Sequence, residues 1–250
     1  MPGVSVCFPA YNEESSVESV LIEAHELLSA SGLDYEILVC DDGSTDETGS
    51  IIENVAARLP LIRALHNPGN QGIRATFERL YRESVKDFVF LNSTDQQWQT
   101  SVLFDLLRHT PEFDIVIATR NDKHYGLVRR LVSSVFNLIP QVLFGVKTYD
   151  AGAVKLVKRE IIERFELVSR SPFSEAERLI RAAQAGYRIA SYPVHVSERR
   201  TGRARGVSLP ALTQAFTDVV RVWWLLRIKK EDQSYHASRS TGSIPGQPNL

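Results

Sequence analysis

Three short polar clusters could do chemistry, and each follows directly on a short apolar run. Pro9-Ala10-Tyr11-Asn12-Glu13 follows Val4–Phe8, Asp41-Asp42-Gly43-Ser44-Thr45-Asp46 follows Glu36–Cys40, and Asn92-Ser93-Thr94-Asp95-Gln96-Gln97-Trp98 follows Phe88–Leu91. Tyr11 offers a ring that can stack on a nucleobase, and the carboxylates of the second cluster can accept hydrogen bonds from a base or ribose. The third cluster can reach phosphates, directly or through a metal. Any one cluster alone reads as ordinary loop chemistry, since Asp-Gly favours turns and Ser, Thr and Asp favour helix N-caps. Three of them, each at the end of a strand, point to a ligand site. A fourth feature is cationic: His195, Arg199, Arg200, Arg203 and Arg205 fall within eleven residues around Gly202. Guanidinium forks match phosphate oxygens bidentately. Arg129 and Arg130 either add to this charge or are exposed helix charges.

The elements that must position these clusters follow from hydrophobic spacing. Val4–Phe8, Glu36–Cys40, Ile62–Leu65, Phe88–Leu91 and Ile115–Ala118 read as buried strands. Glu13–Ser31, a segment through Ile51, Ile52 and Val55, and Thr76–Ser84 carry helical spacing between them. Strands alternating with helices imply βαβ units, so the expected fold is α/β, with a mainly parallel central sheet covered by helices on both faces. Ligands then bind at the carboxyl ends of the strands. Farther on, Leu127–Phe144, Glu175–Ala185 and the strongly apolar Leu209–Lys230 read as helices, and Ala153–Val157 and Ile189–Val194 as strands. Residues 231–250 are polar and rich in Gly, Pro and Ser, and are expected to form a disordered tail.

Composition removes several function classes. The 29 Lys and Arg against 30 Asp and Glu give a net charge of −1, which argues against a dedicated nucleic-acid binder. A hydrophobic fraction of 43% excludes global disorder. Cys7 and Cys40 lie in apolar runs and read as small core residues, not a disulfide framework or a thiolate metal site. The start has neither a basic n-region nor a long apolar stretch, and no window is apolar enough to span a bilayer, so a cytoplasmic location is expected.

With these residues in view, FPAYNEE (Phe8–Glu14) and CDDGSTDET (Cys40–Thr48) resemble the opening signatures of inverting family 2 glycosyltransferases of the GT-A (nucleotide-diphospho-sugar transferase), Rossmann-like fold. The resemblance continues through Asn70-x-Gly72, DIVIATR (Asp114–Arg120), the run Ala176–Ile189 and Pro193-x-His195. It closes on Arg199-x-x-Gly202-x-Ala204-Arg205, which is similar to an element of dolichol-phosphate mannosyltransferases and other polyprenyl-phosphate glycosyltransferases. It implies a catalytic domain over residues 1–205, followed by a separate helix over 206–230. It also implies a nucleotide-sugar site built from Pro9, Tyr11, Glu13, Asp41, Asp42, Asn70, Gly72, Ser93 and Gln97, and a phosphate and acceptor site from Arg120, His195, Arg199, Arg203 and Arg205. Catalytic roles fall to Asp95, Glu177 and Asp150. Glu175 and Glu177 sit two apart at the start of a helix and point to different faces, and the plain reading is that one of them complements the helix dipole; the family pattern puts Glu177 in its acidic position before the LIRA run. His124 reads as a surface loop residue.

One departure bears on metal use. The family's D-x-D triplet aligns with Ser93-Thr94-Asp95, so one carboxylate is kept and the other is a hydroxyl. Asp95 is the expected ligand of Mg²⁺ or Mn²⁺, with weakened affinity; the alternatives are cationic side chains acting without metal, or a homologue that binds a sugar nucleotide without turnover. The expected donor is a GDP- or UDP-linked sugar. A hydroxyl acceptor would need a general base, for which Glu177 and Asp150 are candidates. A polyprenyl phosphate would need none, because its second pKa near ~6 leaves it largely anionic at neutral pH. The phosphate acceptor is the preferred reading, and a soluble transferase acting on a small-molecule or polysaccharide hydroxyl is the alternative. Leu209–Lys230, with paired Trp223 and Trp224 before Arg227, Lys229 and Lys230, suits a membrane surface, a membrane-protein partner, a homodimer contact or the chain's own core.

Overall fold

The computed structural model describes residues 2–94, 98–120, 138–149, 152–194 and 209–229. The expected 231–250 tail and most of the Leu127–Phe144 helix lie outside these residues; 138–144 of that helix are helical.

Among the described residues a seven-stranded sheet organises the chain. Its strands are β1 (Val4–Ala10), β2 (Tyr35–Asp41), β3 (Ile62–His66), β4 (Phe88–Leu91), β5 (Ile115–Arg120), β6 (Lys155–Lys158) and β7 (Ile189–Val194). Val, Ile, Leu, Phe and Cys fill β1, β2 and β4, and those strands are buried almost throughout, as parallel strands covered on both faces must be. The spatial order is β3-β2-β1-β4-β6-β5-β7, with β6 alone antiparallel to its neighbours. β6 begins at Lys155, two residues later than the Ala153 start expected from the apolar run.

The helices α1 (Val17–Ser29), α2 (Thr48–Arg58) and α3 (Ile73–Glu83) connect β1 to β2, β2 to β3 and β3 to β4. The first two crossovers step outward along the sheet and the third returns across it. With right-handed connections, α1 and α2 therefore share one face and α3 takes the other. The order reverses between β1 and β4, which makes the carboxyl ends of these two strands a topological switch point. Two short helices, α4 (Val102–Leu107) and α5 (Arg159–Arg164), had no clear periodic signal because each spans less than two turns.

Helix α6 (Ser174–Gln184) departs from the usual one-sided pattern. Every residue from Ser174 to Ala182 is buried, including Glu175, Glu177, Arg178 and Arg181. The last helix, α7, runs over Leu209–Trp223 and continues as a π-helical turn over Trp224–Ile228. Val219 and Val222 pack with Phe144, Phe173, Ala176 and Ile180 in a second apolar cluster beside the main core.

Candidate active site at the sheet's carboxyl edge

Register fixes what meets at this edge. Ala10 pairs with Asp41 and Cys7 with Leu91, so the loops after β1, β2 and β4 leave side by side. Asp41 pairs with His66, which brings in the loop after β3. Because β6 is antiparallel, its first residue, Lys155, lies opposite Leu91 at the same edge. Arg120 pairs with Val194, so β5 and β7 end together at the far side.

The first two loops are knitted into one wall. Asn12 adopts a positive φ of 55°, which Asn tolerates better than most residues, and its amide donates to Ser44 Oγ. Its own Oδ1 accepts from the Thr45 amide, and the Glu13 amide donates to Thr48 Oγ1. Asp46 Oδ1 accepts from both the amide and the hydroxyl of Thr48. Burial alone would raise the Asp46 pKa, yet these hydrogen bonds hold it below the usual carboxylate range. Gly43 makes the wall's closest approach: with φ +70°, a Cβ there would lie 2.5 Å from the Gly69 backbone. Only glycine fits.

Asp41 and Asp42 are both buried. Asp41 Oδ1 accepts from the amide and hydroxyl of Ser44, and Oδ2 faces His66 Nδ1 at 3.3 Å. Asp42 accepts from Asn67 Nδ2 at 2.7 Å and from the amides of Gln71 and Gly72, both at 2.9 Å. Gly72 precedes the first residue of α3, so Asp42 satisfies amides that open that helix and complements its dipole. Both carboxylates thus brace the loops at this end of the edge, where Tyr11 is half-buried and Asn70 exposed. Asn67, which clamps Asp42, was not singled out from the sequence; its only signal was its place just past the third apolar run.

In the middle of the edge, Asn92 is buried, its Oδ1 accepts from the Ser93 amide, and Thr94 Oγ1 donates to the Pro9 carbonyl. This ties the β4 loop to the end of β1. Asp95 and Gln97 lie outside the described residues, as do Asp150, His195, Arg199, Arg203 and Arg205, and likewise His124, Arg129 and Arg130. Among the described residues no three His, Cys, Asp or Glu side chains converge as a metal site.

The two helix carboxylates are placed differently from a pair of surface acids. Glu177 is fully buried; its oxygens accept from the amides of Val168 at 3.1 Å and Ser169 at 2.8 Å and from Arg181 Nε at 2.8 Å. It therefore holds the loop before α6. Glu175 lies nearer the sheet edge, accepting from Lys155 Nζ at 2.8 Å and Tyr81 Oη at 3.2 Å. Burial opposes its ionisation, but Lys155 and Arg178 more than compensate and hold its pKa below the usual value. Arg178, with no exposed side-chain surface, pairs with Glu78 and lies 4.3 Å over the Tyr81 ring. This network joins α3, β6 and α6 behind the site. The sequence hid it because its charges lie far apart in the chain, Glu78 on α3, Lys155 on β6 and Glu175 and Arg178 on α6.

Comparison with known proteins agrees with this fold. Residues 5–166 match the family model described as glycosyl transferase family 2. Glycosyltransferase AglD of Haloferax volcanii is 26% identical over 240 residues, covering 90% of this chain and 38% of its own length. The undecaprenyl-phosphate 4-deoxy-4-formamido-L-arabinose transferase of Pseudomonas fluorescens is 29% identical over 164 residues, covering 64% of this chain and 48% of that protein. The chain thus spans less than half the length of these two relatives. Among solved structures, the Pyrobaculum calidifontis mannosyltransferase PcManGT, in complex with GDP-Man and Mn²⁺, superposes with a TM-score of 0.63 at 20% identity, over 88% of this chain and 64% of that one. The expected GT-A architecture is the one observed, and the chain belongs to glycosyl transferase family 2.

Proposed function

We propose that this chain transfers a sugar from a nucleoside-diphosphate sugar to the phosphate of a polyprenyl phosphate, with inversion at the anomeric carbon. The donor occupies the switch-point half of the edge: Tyr11 stacks on the base, the β2 and β3 loops cradle the nucleoside, and the diphosphate reaches Ser93 and Asp95. The acceptor phosphate comes from the β5–β7 side, held by Arg120, His195, Arg199, Arg203 and Arg205. A phosphate oxygen forms the new bond to the anomeric carbon as the bond to the donor diphosphate breaks. The diphosphate leaves with the electron pair.

The observation that carries this reading is the state of Glu177. Its carboxylate is fully buried and bound to two amides and Arg181, so it is not placed to take a proton from an acceptor hydroxyl. A phosphate nucleophile, already ionised, needs no such base. The relatives named as undecaprenyl-phosphate transferases support the same acceptor class. Asp150 is the remaining candidate base and would matter for a hydroxyl acceptor.

The donor set suits a weakly held divalent cation. Asp95 and the Ser93 hydroxyl would hold Mg²⁺ or Mn²⁺ jointly with the donor phosphates and water, as Mg²⁺ sites commonly do. Such an ion supplies positive charge opposite the departing diphosphate. Among the described residues no helix is long and apolar enough to cross a membrane.

The test is transfer from radiolabelled GDP- and UDP-sugars, with and without Mn²⁺, to detergent-dispersed polyprenyl phosphate or to water-soluble hydroxyl acceptors. Label in the organic phase is expected. Label only in soluble glycosides would favour the hydroxyl reading, and nucleotide binding without turnover on any acceptor would favour a non-catalytic homologue.

A further inference from the structure

The outer face of the last helix carries a continuous apolar stripe. Phe216, Val220, Trp224 and Ile228 recur every fourth residue and are 66%, 49%, 55% and 50% exposed. The opposite face is fully engaged. Val219 and Val222 pack into the second apolar cluster, and Asp218 is buried, accepting from the amides of Arg170 and Ser171. The stripe is therefore not the helix's packing face turned outward. On the neighbouring segment 138–144, which packs on the same cluster through Phe144, Leu138 and Val142 add exposed apolar surface at 55% and 70%.

Charge decides what covers this face. Asp218 is the sole acidic residue between Thr213 and Lys229, and it points inward. The exposed ionic groups along the helix are Arg221, Arg227 and Lys229, all cationic. A two-fold contact between copies of this chain would set these like charges against one another. Residues 231–250 hold too few apolar side chains, chiefly Tyr235, Ile244 and Leu250, to cover two large aromatic groups and two aliphatic ones. Apolar anchors flanked by cations, with a Trp among the anchors, suit the headgroup boundary of an anionic bilayer.

We infer that Phe216, Val220, Trp224 and Ile228 form a docking face for an anionic lipid surface, with Arg221, Arg227 and Lys229 at headgroup level. This deepens the lipid-acceptor reading, on which it rests for its purpose, by naming the surface from which the acceptor is reached. Docking through this helix also orients α6 and the loop before it, because Asp218 and Val219 hold them to α7.

The experiment is flotation of the full chain with vesicles that contain no polyprenyl phosphate. Pure phosphatidylcholine vesicles are compared with vesicles containing about one-third phosphatidylglycerol. Binding to the anionic vesicles is expected to be on the order of tenfold or more tighter, and to weaken as salt rises. The double variant Phe216→Ser/Trp224→Ser should lose about tenfold or more in vesicle affinity. It should keep the wild-type melting temperature and wild-type transfer to detergent-dispersed acceptor. Absence of vesicle binding, or binding indifferent to the double substitution, would overturn the inference. So would a dimer in solution that the substitution dissociates, because a second copy would then cover the stripe. A failure of transfer in detergent bears on the proposed reaction and leaves the vesicle result independent.

Discussion

Replacing Glu177 with Gln separates a positioning role from acid–base chemistry. In the native structure its carboxylate, with no solvent exposure, takes three hydrogen bonds, from two backbone amides and from Arg181 Nε. Gln keeps the shape but offers one acceptor oxygen, and its NH₂ group faces a donor. One buried N–H is left unpaired, at about 1–3 kcal/mol, and Arg181 loses its charged partner. Breaking a buried ion pair from one side typically costs about 3–5 kcal/mol, so a total near 4 kcal/mol is expected. For a protein of this size that lowers the melting temperature by on the order of 10 °C. The assay is a thermal melt run beside the pH dependence of transfer at a temperature where both proteins are folded. The variant should melt early yet keep the wild-type pH profile. A melting temperature within about 2 °C of wild type, together with a rate loss of about 100-fold or more, would refute the positioning role and make Glu177 an acid or base.

Gly43→Ala should destabilise the protein by at least about 2 kcal/mol and weaken nucleoside-diphosphate binding, since the new Cβ would meet the Gly69 backbone at 2.5 Å in a left-handed conformation; melts with and without ligand report both effects. Cys7 and Cys40 should resist thiol reagents at neutral pH until the chain is unfolded, because burial pushes their pKa values up to about 12 and about 11; a spectrophotometric thiol count with and without denaturant checks this. Lys155→Met should cost about 3–5 kcal/mol by stranding Glu175. The folded-state pKa of Glu175 lies below its ordinary value, so its contribution is present above the ordinary carboxylate range and is lost as pH falls through the folded pKa. The variant's deficit in chemical-denaturation stability should therefore shrink in acid. Asp95→Ala should remove Mn²⁺ stimulation of transfer, with a rate loss on the order of 100-fold; undiminished activity would eliminate its metal role.

Much of the fold was legible because β1, β2 and β4 are predominantly apolar and alternate with helically spaced segments. Each of Val4–Phe8, Glu36–Cys40 and Phe88–Leu91 lies within, or coincides with, an observed strand. The antiparallel sense of β6 was not legible, because pairing direction leaves no mark on a strand of four residues, Lys155–Lys158. The loops after β1 and β2 could be flagged from residue type, but not their mutual dependence: Asn12, Ser44, Thr45 and Asp46 bond across more than thirty positions of sequence. Least legible was α6. Its charged residues suggest a half-solvated helix, and only tertiary partners such as Lys155, Tyr81 and the 168–169 amides let them be buried.

The central claim is that the acceptor is a pre-ionised phosphate, so the most direct measurement offers polyprenyl phosphate and the matching polyprenol in identical micelles with the same donor. Transfer to the phosphate alone is expected, with a rate that rises as the phosphate loses its second proton near pH ~6. Comparable transfer to the free alcohol would contradict it, because that chemistry needs a general base.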